Sequence, residues 1–175
     1  MEDTVRLKGY HNTSLENAYN IISEKYFYLS KKNTEWLGCG IYFWDEYDNA
    51  VWWSTKQKNP SHAIIIACIK ANSSKFLDLD QQENMDKLVE FARQFNEENK
   101  HNNMIPNFKN NTQIRQYYCT GYKKRFDVKI MKYTFKYPVI NCVGFPTQEI
   151  ERVQLCLSDN ETIADMKLRR IDYAI

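Results

Sequence analysis

The first clear pattern along the chain has a period of two. Val5, Leu7 and Gly9 alternate with Arg6, Lys8 and Tyr10, which predicts a strand running into Tyr10 and His11. The period then lengthens. Leu15, Ala18, Tyr19 and Ile22 fall at i, i+3, i+4 and i+7, one face of a helix to about Lys25, with Ser14 as its N-cap and Glu16 in the positive first turn. Residues 26–29 are short and aromatic, a second strand candidate, and 30–35 are a polar loop. Trp36 to Gly40 reads as a turn, and Ile41-Tyr42-Phe43-Trp44 as a compact aromatic segment. A helix starting at Asp45 carries Ala50, Val51, Trp52 and Trp53 to about Lys56, and Pro60 closes it.

Residues 63–69 are apolar without interruption, which predicts a central strand buried on both faces. Asp80 with Glu83 resembles a capping box. Met85, Leu88, Val89, Ala92 and Phe95 behind it mark an amphipathic helix ending near Glu98. Residues 99–113, rich in Asn and Lys, read as a surface loop, and 114–125 as a further helix. Residues 128–137 look extended, with a change of phase between Ile130 and Met131 that reads either as a bulge or as a sign that the stretch is not a strand. Gly144 to Thr147 is a turn. Residues 152–157 form a last strand, with Val153, Leu155 and Leu157 on one face and Gln154 and Cys156 on the other. The tail, 161–175, reads as short helix and fray. There is no repeat, linker or regular βαβ rhythm, so the expectation is one α+β domain over 1–175.

Composition narrows the function classes. The 175 residues carry 24 basic and 22 acidic side chains, a net +2, so wholesale electrostatic capture of nucleic acid or membrane is not the default. The longest apolar run, 63–69, is far short of the ~20 residues a spanning helix needs. No basic-then-apolar leader stands at Met1, which predicts a cytoplasmic protein. Cys39, Cys68, Cys119, Cys142 and Cys156 are odd in number and contain no CxxC pair. They are expected as free thiols in a reducing compartment, with no metal site.

Three constellations carry candidate chemistry. Tyr10-His11-Asn12-Thr13 stands at a strand end before a helix N-terminus, where polar side chains and free N–H groups converge on a ligand, or where His11 merely closes a turn. Gly38-Cys39-Gly40-Ile41-Tyr42-Phe43-Trp44 pairs two glycines, which allow close backbone approach, with a Tyr able to lie against a flat heterocycle. Trp53 could form a second wall; the alternative is that these rings are core. The third is 147–156. Glu149 and Glu151 enter the last strand, where a carboxylate can stabilise a developing positive charge, or simply sit on a solvated edge, and Gln154 lies on the strand itself. A Cys39–His11 nucleophile pair rests on residue types alone. The basic runs Lys123-Lys124-Arg125 and Arg169-Arg170 read as solvated faces or as contacts to nucleic acid.

In this order the constellations resemble the His–Tyr–Glu branch of the ADP-ribosyltransferase superfamily, shared by diphtheria toxin and the poly(ADP-ribose) polymerases. Tyr10-His11-Asn12-Thr13-Ser14 looks like its first motif and Gly38-Cys39-Gly40-Ile41-Tyr42-Phe43 like its second; an aromatic eleven residues past the Tyr, here Trp53, is a family habit. The resemblance implies a split mixed or antiparallel sheet flanked by helices, with NAD as co-substrate. It implies that His11 orients a ribose hydroxyl, that the backbone around Asn12 and Thr13 grips the nicotinamide amide, and that Tyr42 and Trp53 (or Trp52) wall the ring. Two departures stand out. Asn12 replaces the usual Gly, and Gln154 falls where the catalytic Glu is expected, with Glu151 as the substitute carboxylate. The implied activity is mono-ADP-ribosyl transfer to a macromolecular acceptor, protein or nucleic acid, as in a bacterial toxin, effector or phage-conflict protein that would meet an antitoxin or inhibitor. The alternative is a catalytically weak NAD or ADP-ribose sensor.

Overall fold

The computed structural model describes residues 3–56, 62–100, 105–138 and 149–171. The elements in chain order are β1 (Thr4–Ser14), α1 (Leu15–Glu24), β2 (Ile41–Trp44), α2 (Tyr47–Thr55), β3 (His62–Asn72), β4 (Phe76–Asp78), α3 (Gln82–Lys100), α4 (Asn111–Phe126), β5 (Ile130–Pro138), β6 (Glu149–Leu157) and β7 (Ile163–Arg170). The strands make one sheet in the order β4-β5-β6-β2-β1-β3-β7. Among the described strands only β4 and β5 run parallel; this is a mixed sheet in an α+β chain.

The sheet is in two halves. β1 pairs with β3 along its whole length, yet meets β2 at a single register pair, Tyr10 with Trp44. Gly9 makes that junction tight: a Cβ there would come 2.9 Å from Phe43 Cβ and 2.7 Å from Ile69 Cδ1. A side chain at position 9 would force the halves apart.

The β5-β6-β2 half is covered on both faces. One face buries Ile41, Phe43, Ile130, Leu155 and Leu157 in a cluster with Ala18 and Ile21 of α1. The other buries Met131 and Cys156 with Leu88 and Phe91 of α3 and Cys119 of α4. This explains the phase change in the sequence. Ile130 and Met131 are both fully buried because each face has its own core, and pairing with β6 runs unbroken from Ile130 to Pro138. The expected bulge does not exist. The β1-β3-β7 half buries one face at its centre, with Ile65, Ala67 and Ile69 of β3 in the cluster with α1; on the other, Ile64 packs under α2 with Trp44 and Ala50.

Other expectations also change. Residues 26–29 are not a strand. Phe27 is buried, and its N–H and C=O are taken by the Asn160 side-chain amide at 2.7 and 2.9 Å, which substitutes for a strand partner. Asp80 does not cap α3; its carboxylate accepts from Thr134 N–H and hydroxyl and pairs with Lys132. The tail is a strand, β7. Met166 and Leu168 turn to the core cluster while Asp165, Lys167 and Arg169 are exposed, a period of two. Ser14 caps α1 as expected, accepting from Asn17 N–H at 3.2 Å. The turn at 144–147, Pro60 and Cys142 lie outside the described residues; Cys39, Cys68, Cys119 and Cys156 are free thiols.

Candidate functional site

Where the two half-sheets part, the structure holds a cavity of about 440 Å³. Its wall takes His11, Asn12 and Thr13 from β1, Tyr42 from β2, Trp53 from α2 and Gln154 from β6. Ser30, Lys32 and Glu35 of the loop between α1 and β2 close one side. Six of the seven expected site residues are thus brought together from four elements distant in sequence.

His11 is fixed by its surroundings. Its imidazole packs edge-on against Phe27, 5.1 Å between centroids, and against Phe43 at 5.6 Å. Nδ1 lies 2.7 Å from the Tyr42 carbonyl oxygen. A carbonyl only accepts, so Nδ1 carries the proton and Nε2 is left as an acceptor. Burial pushes the pKa of His11 below its ordinary 6.5, and the hydrogen bond to Tyr42 offsets this only in part. Nε2 has no hydrogen-bond partner among the described residues. Asn12, next on the strand, has a buried Nδ2 that bonds to nothing described. Buried donors without partners are rare in folded proteins and cost about 1–3 kcal/mol each.

Tyr42 is held at its far end. Its hydroxyl donates to the Gly38 carbonyl at 2.6 Å and accepts from Leu37 N–H at 2.9 Å. Burial, reinforced by Cys156 and Glu35 nearby, raises its pKa far above the ordinary tyrosine value, so it stays neutral. Trp53, 39% exposed, leans on Trp44 with centroids 6.0 Å apart. Trp52 faces elsewhere: the Arg152 guanidinium sits 3.6 Å above its ring, and Tyr137 packs beside it. Between the two tryptophans, Trp53 is the cavity residue. Gln154 pairs in register with Trp44 and Tyr133, and its amide has no described partner.

Glu151 is not part of this wall. It lies three residues from Gln154 on one strand, and so on the opposite face. It is exposed and pairs with Lys136 at 3.6 Å, as Glu149 does at 3.7 Å. The solvated-edge reading holds for both. The glycine pair also has a local cause. Gly38 has φ +85°, and a Cβ on it would come 2.6 Å from Thr120 N of α4. A Cβ on Gly40 would come 2.4 Å from Cys156 Sγ and 2.5 Å from Leu157 O of β6. The close approach they permit is to the chain itself. Cys39 turns toward Gln116, 3.3 Å from its Nε2, and is not among the cavity residues, so no Cys39–His11 pair forms there.

Two residues escaped the sequence reading. Lys123, placed there on a solvated basic run, is 4% exposed and donates to the Cys39 carbonyl at 2.7 Å and to Cys156 Sγ at 2.8 Å. It pins the 38–40 turn from below. Glu35 is the single carboxylate among the described cavity-lining residues. It is half-buried and accepts a short hydrogen bond from Ser30 Oγ, whose backbone pairs with Gly40 at 2.8 and 3.0 Å. No spacing signal marks it; only the closure of the loop by Ser30 and Gly40 brings it to the cavity.

No family model matches the chain. A segment covering 47% of it is 34% identical over 89 residues to an uncharacterized protein of Methanocaldococcus jannaschii. The match spans 42% of that protein's length.

Proposed function

We propose that the cavity is the NAD site of a mono-ADP-ribosyltransferase. The observation that carries this reading is the meeting of His11, Asn12, Thr13, Tyr42, Trp53 and Gln154 around one cavity at the split of the sheet. Its volume lies in the range of small-molecule sites. Its unpaired groups suit a carboxamide and a ribose. The buried Asn12 Nδ2 is a donor without a partner among the described residues, and a carboxamide oxygen would satisfy it once the side chain turns to the cavity. His11 Nε2 is an acceptor without a partner among the described residues, and a ribose hydroxyl would satisfy it. Tyr42 and Trp53 supply the ring walls.

NAD brings a glycosidic bond whose pyridinium leaves as a neutral ring, so the site needs no strong acid. The chain's task is to orient the ribose, exclude water and place negative charge near the carbon being released. His11 holds a hydroxyl through Nε2, and Gln154 holds another through its amide. Gln154 carries no charge, and in this reading the electrostatic role passes to Glu35 rather than to Glu151. Lys32, on the same wall, suits the dinucleotide's phosphates.

The test is release of nicotinamide from labelled NAD, with and without cell lysate. Release that is lost in His11→Ala and Trp53→Ala, with a labelled macromolecule appearing in lysate, supports the transferase. The uncharged Gln154 favours one second reading, a sensor that binds NAD or ADP-ribose without turning it over; saturable binding with no release would select it.

A further inference from the structure

The outer face of the β1-β3-β7 half-sheet is unlike the rest of the molecule. Residues opposite one another in register share a face. Arg6 stands opposite Lys70, Lys8 opposite Cys68 and Tyr10 opposite Ile66. β3 in turn sets Cys68 against Asp165, Ile66 against Lys167 and Ile64 against Arg169. One face therefore gathers five cations, Arg6, Lys8, Lys70, Lys167 and Arg169, with one carboxylate, Asp165. The whole chain carries only +2, so its near-neutral total hides a local basic field. None of the five forms an ion pair among the described residues. Arg6, Lys8, Lys167 and Arg169 are exposed.

The cations are interleaved with rings. Lys8 Nζ lies 5.3 Å from the Tyr10 ring centre, Tyr10 meets Tyr47 edge-on at 5.9 Å, and the Arg169 guanidinium sits 4.2 Å above Tyr47. This string meets α2 at its first residue, Tyr47, and the far end of that helix carries Trp53 to the cavity. Asn12, Ile64 and Arg169 stand in one row across three strands. Arg169 is therefore two strand spacings, roughly 10 Å, from a residue of the cavity wall.

We infer that this face binds single-stranded nucleic acid and that the bound strand is the acceptor presented to the cavity. The binding rests on the face alone; the acceptor role rests on the proposed function. A sheet face with cations interleaved with rings tracks a flexible backbone and its unpaired bases, as sheet-type single-strand binders do. A duplex keeps its bases stacked and offers none to these rings.

The experiment is fluorescence anisotropy with labelled oligothymidylate and oligouridylate of about twenty nucleotides, the two arms separating DNA from RNA. Five phosphate contacts predict a log–log salt slope near −3.5, a loss of about a hundredfold between 50 and 200 mM salt. The triple variant Lys8→Gln/Lys167→Gln/Arg169→Gln should flatten the slope by about 2 and weaken binding at 50 mM salt at least tenfold. Lys124→Gln/Arg125→Gln, on α4, should bind like the parent. Unchanged binding by the triple variant, or tighter binding to duplex or to phosphatidylserine vesicles than to single strands, overturns the inference. Nicotinamide release in the same samples separates the two readings. Release without oligonucleotide binding overturns the face and leaves the cavity; binding without release overturns the acceptor role and leaves the face.

Discussion

Tyr42→Phe separates the two uses of one residue. The ring that would wall the nicotinamide stays, and only the hydroxyl goes. That hydroxyl holds the Leu37 N–H at 2.9 Å and the Gly38 carbonyl at 2.6 Å. Leu37 is fully buried, so water cannot replace the lost partner without opening the loop. An unsatisfied buried backbone group costs about 1–3 kcal/mol, and two give about 2–4 kcal/mol with partial relaxation. For a chain of this length each kcal/mol moves Tm by about 2–4 °C, so the variant should melt roughly 4–16 °C below the parent. The loop it anchors carries Ser30, Lys32 and Glu35 to the cavity, so nicotinamide release should fall well before global unfolding. Scanning calorimetry alongside release measured across temperature checks both. A variant that melts with the parent and turns over unchanged would refute the claim that this hydroxyl holds the site's wall.

Trp53→Ala, at a position 39% exposed, should cost about 1 kcal/mol of stability or less yet weaken NAD binding at least tenfold, read by titration calorimetry. Glu35→Gln should lower turnover about a hundredfold, whereas Glu151→Gln should leave it unchanged; equal effects would contradict the assignment of charge to the loop. His11 titrates below 6.5 because it is buried. As pH falls, the unfolded chain takes up the proton first, so its contribution to stability is present above 6.5 and is lost toward the depressed folded value. The acid limb of turnover should therefore lie below 6.5; a limb at or above that pH contradicts a neutral His11. Gly40→Ala should destabilise by about 1–3 kcal/mol in urea melts, because the new methyl meets Cys156 Sγ at 2.4 Å.

Where residue types alternate along a strand or a side chain caps a helix, the sequence was readable. Val5 and Leu7 in β1, Val153, Leu155 and Leu157 in β6, and the Ser14 cap of α1 all stand as expected. The reading failed where a residue's partner is remote. Ile130 and Met131 look like a slip of register until both cores are known. Phe27 looks like strand, but its partner is the Asn160 side chain. β7 was hidden because its charged outer face dilutes the apolar one. At the cavity, the residues on regular strands and helices were legible, since their spacing fixes their direction. Glu35 was not, because a loop has no period, and Lys123 was not, because nothing local distinguishes a buried lysine from its exposed neighbours.

The most direct measurement is a crystal structure with a non-hydrolysable NAD analogue. The account predicts the pyridine ring between Tyr42 and Trp53, its carboxamide on Asn12, and a ribose hydroxyl on His11 Nε2. A dinucleotide bound elsewhere, or a cavity that stays closed to it at saturating concentration, would contradict the account.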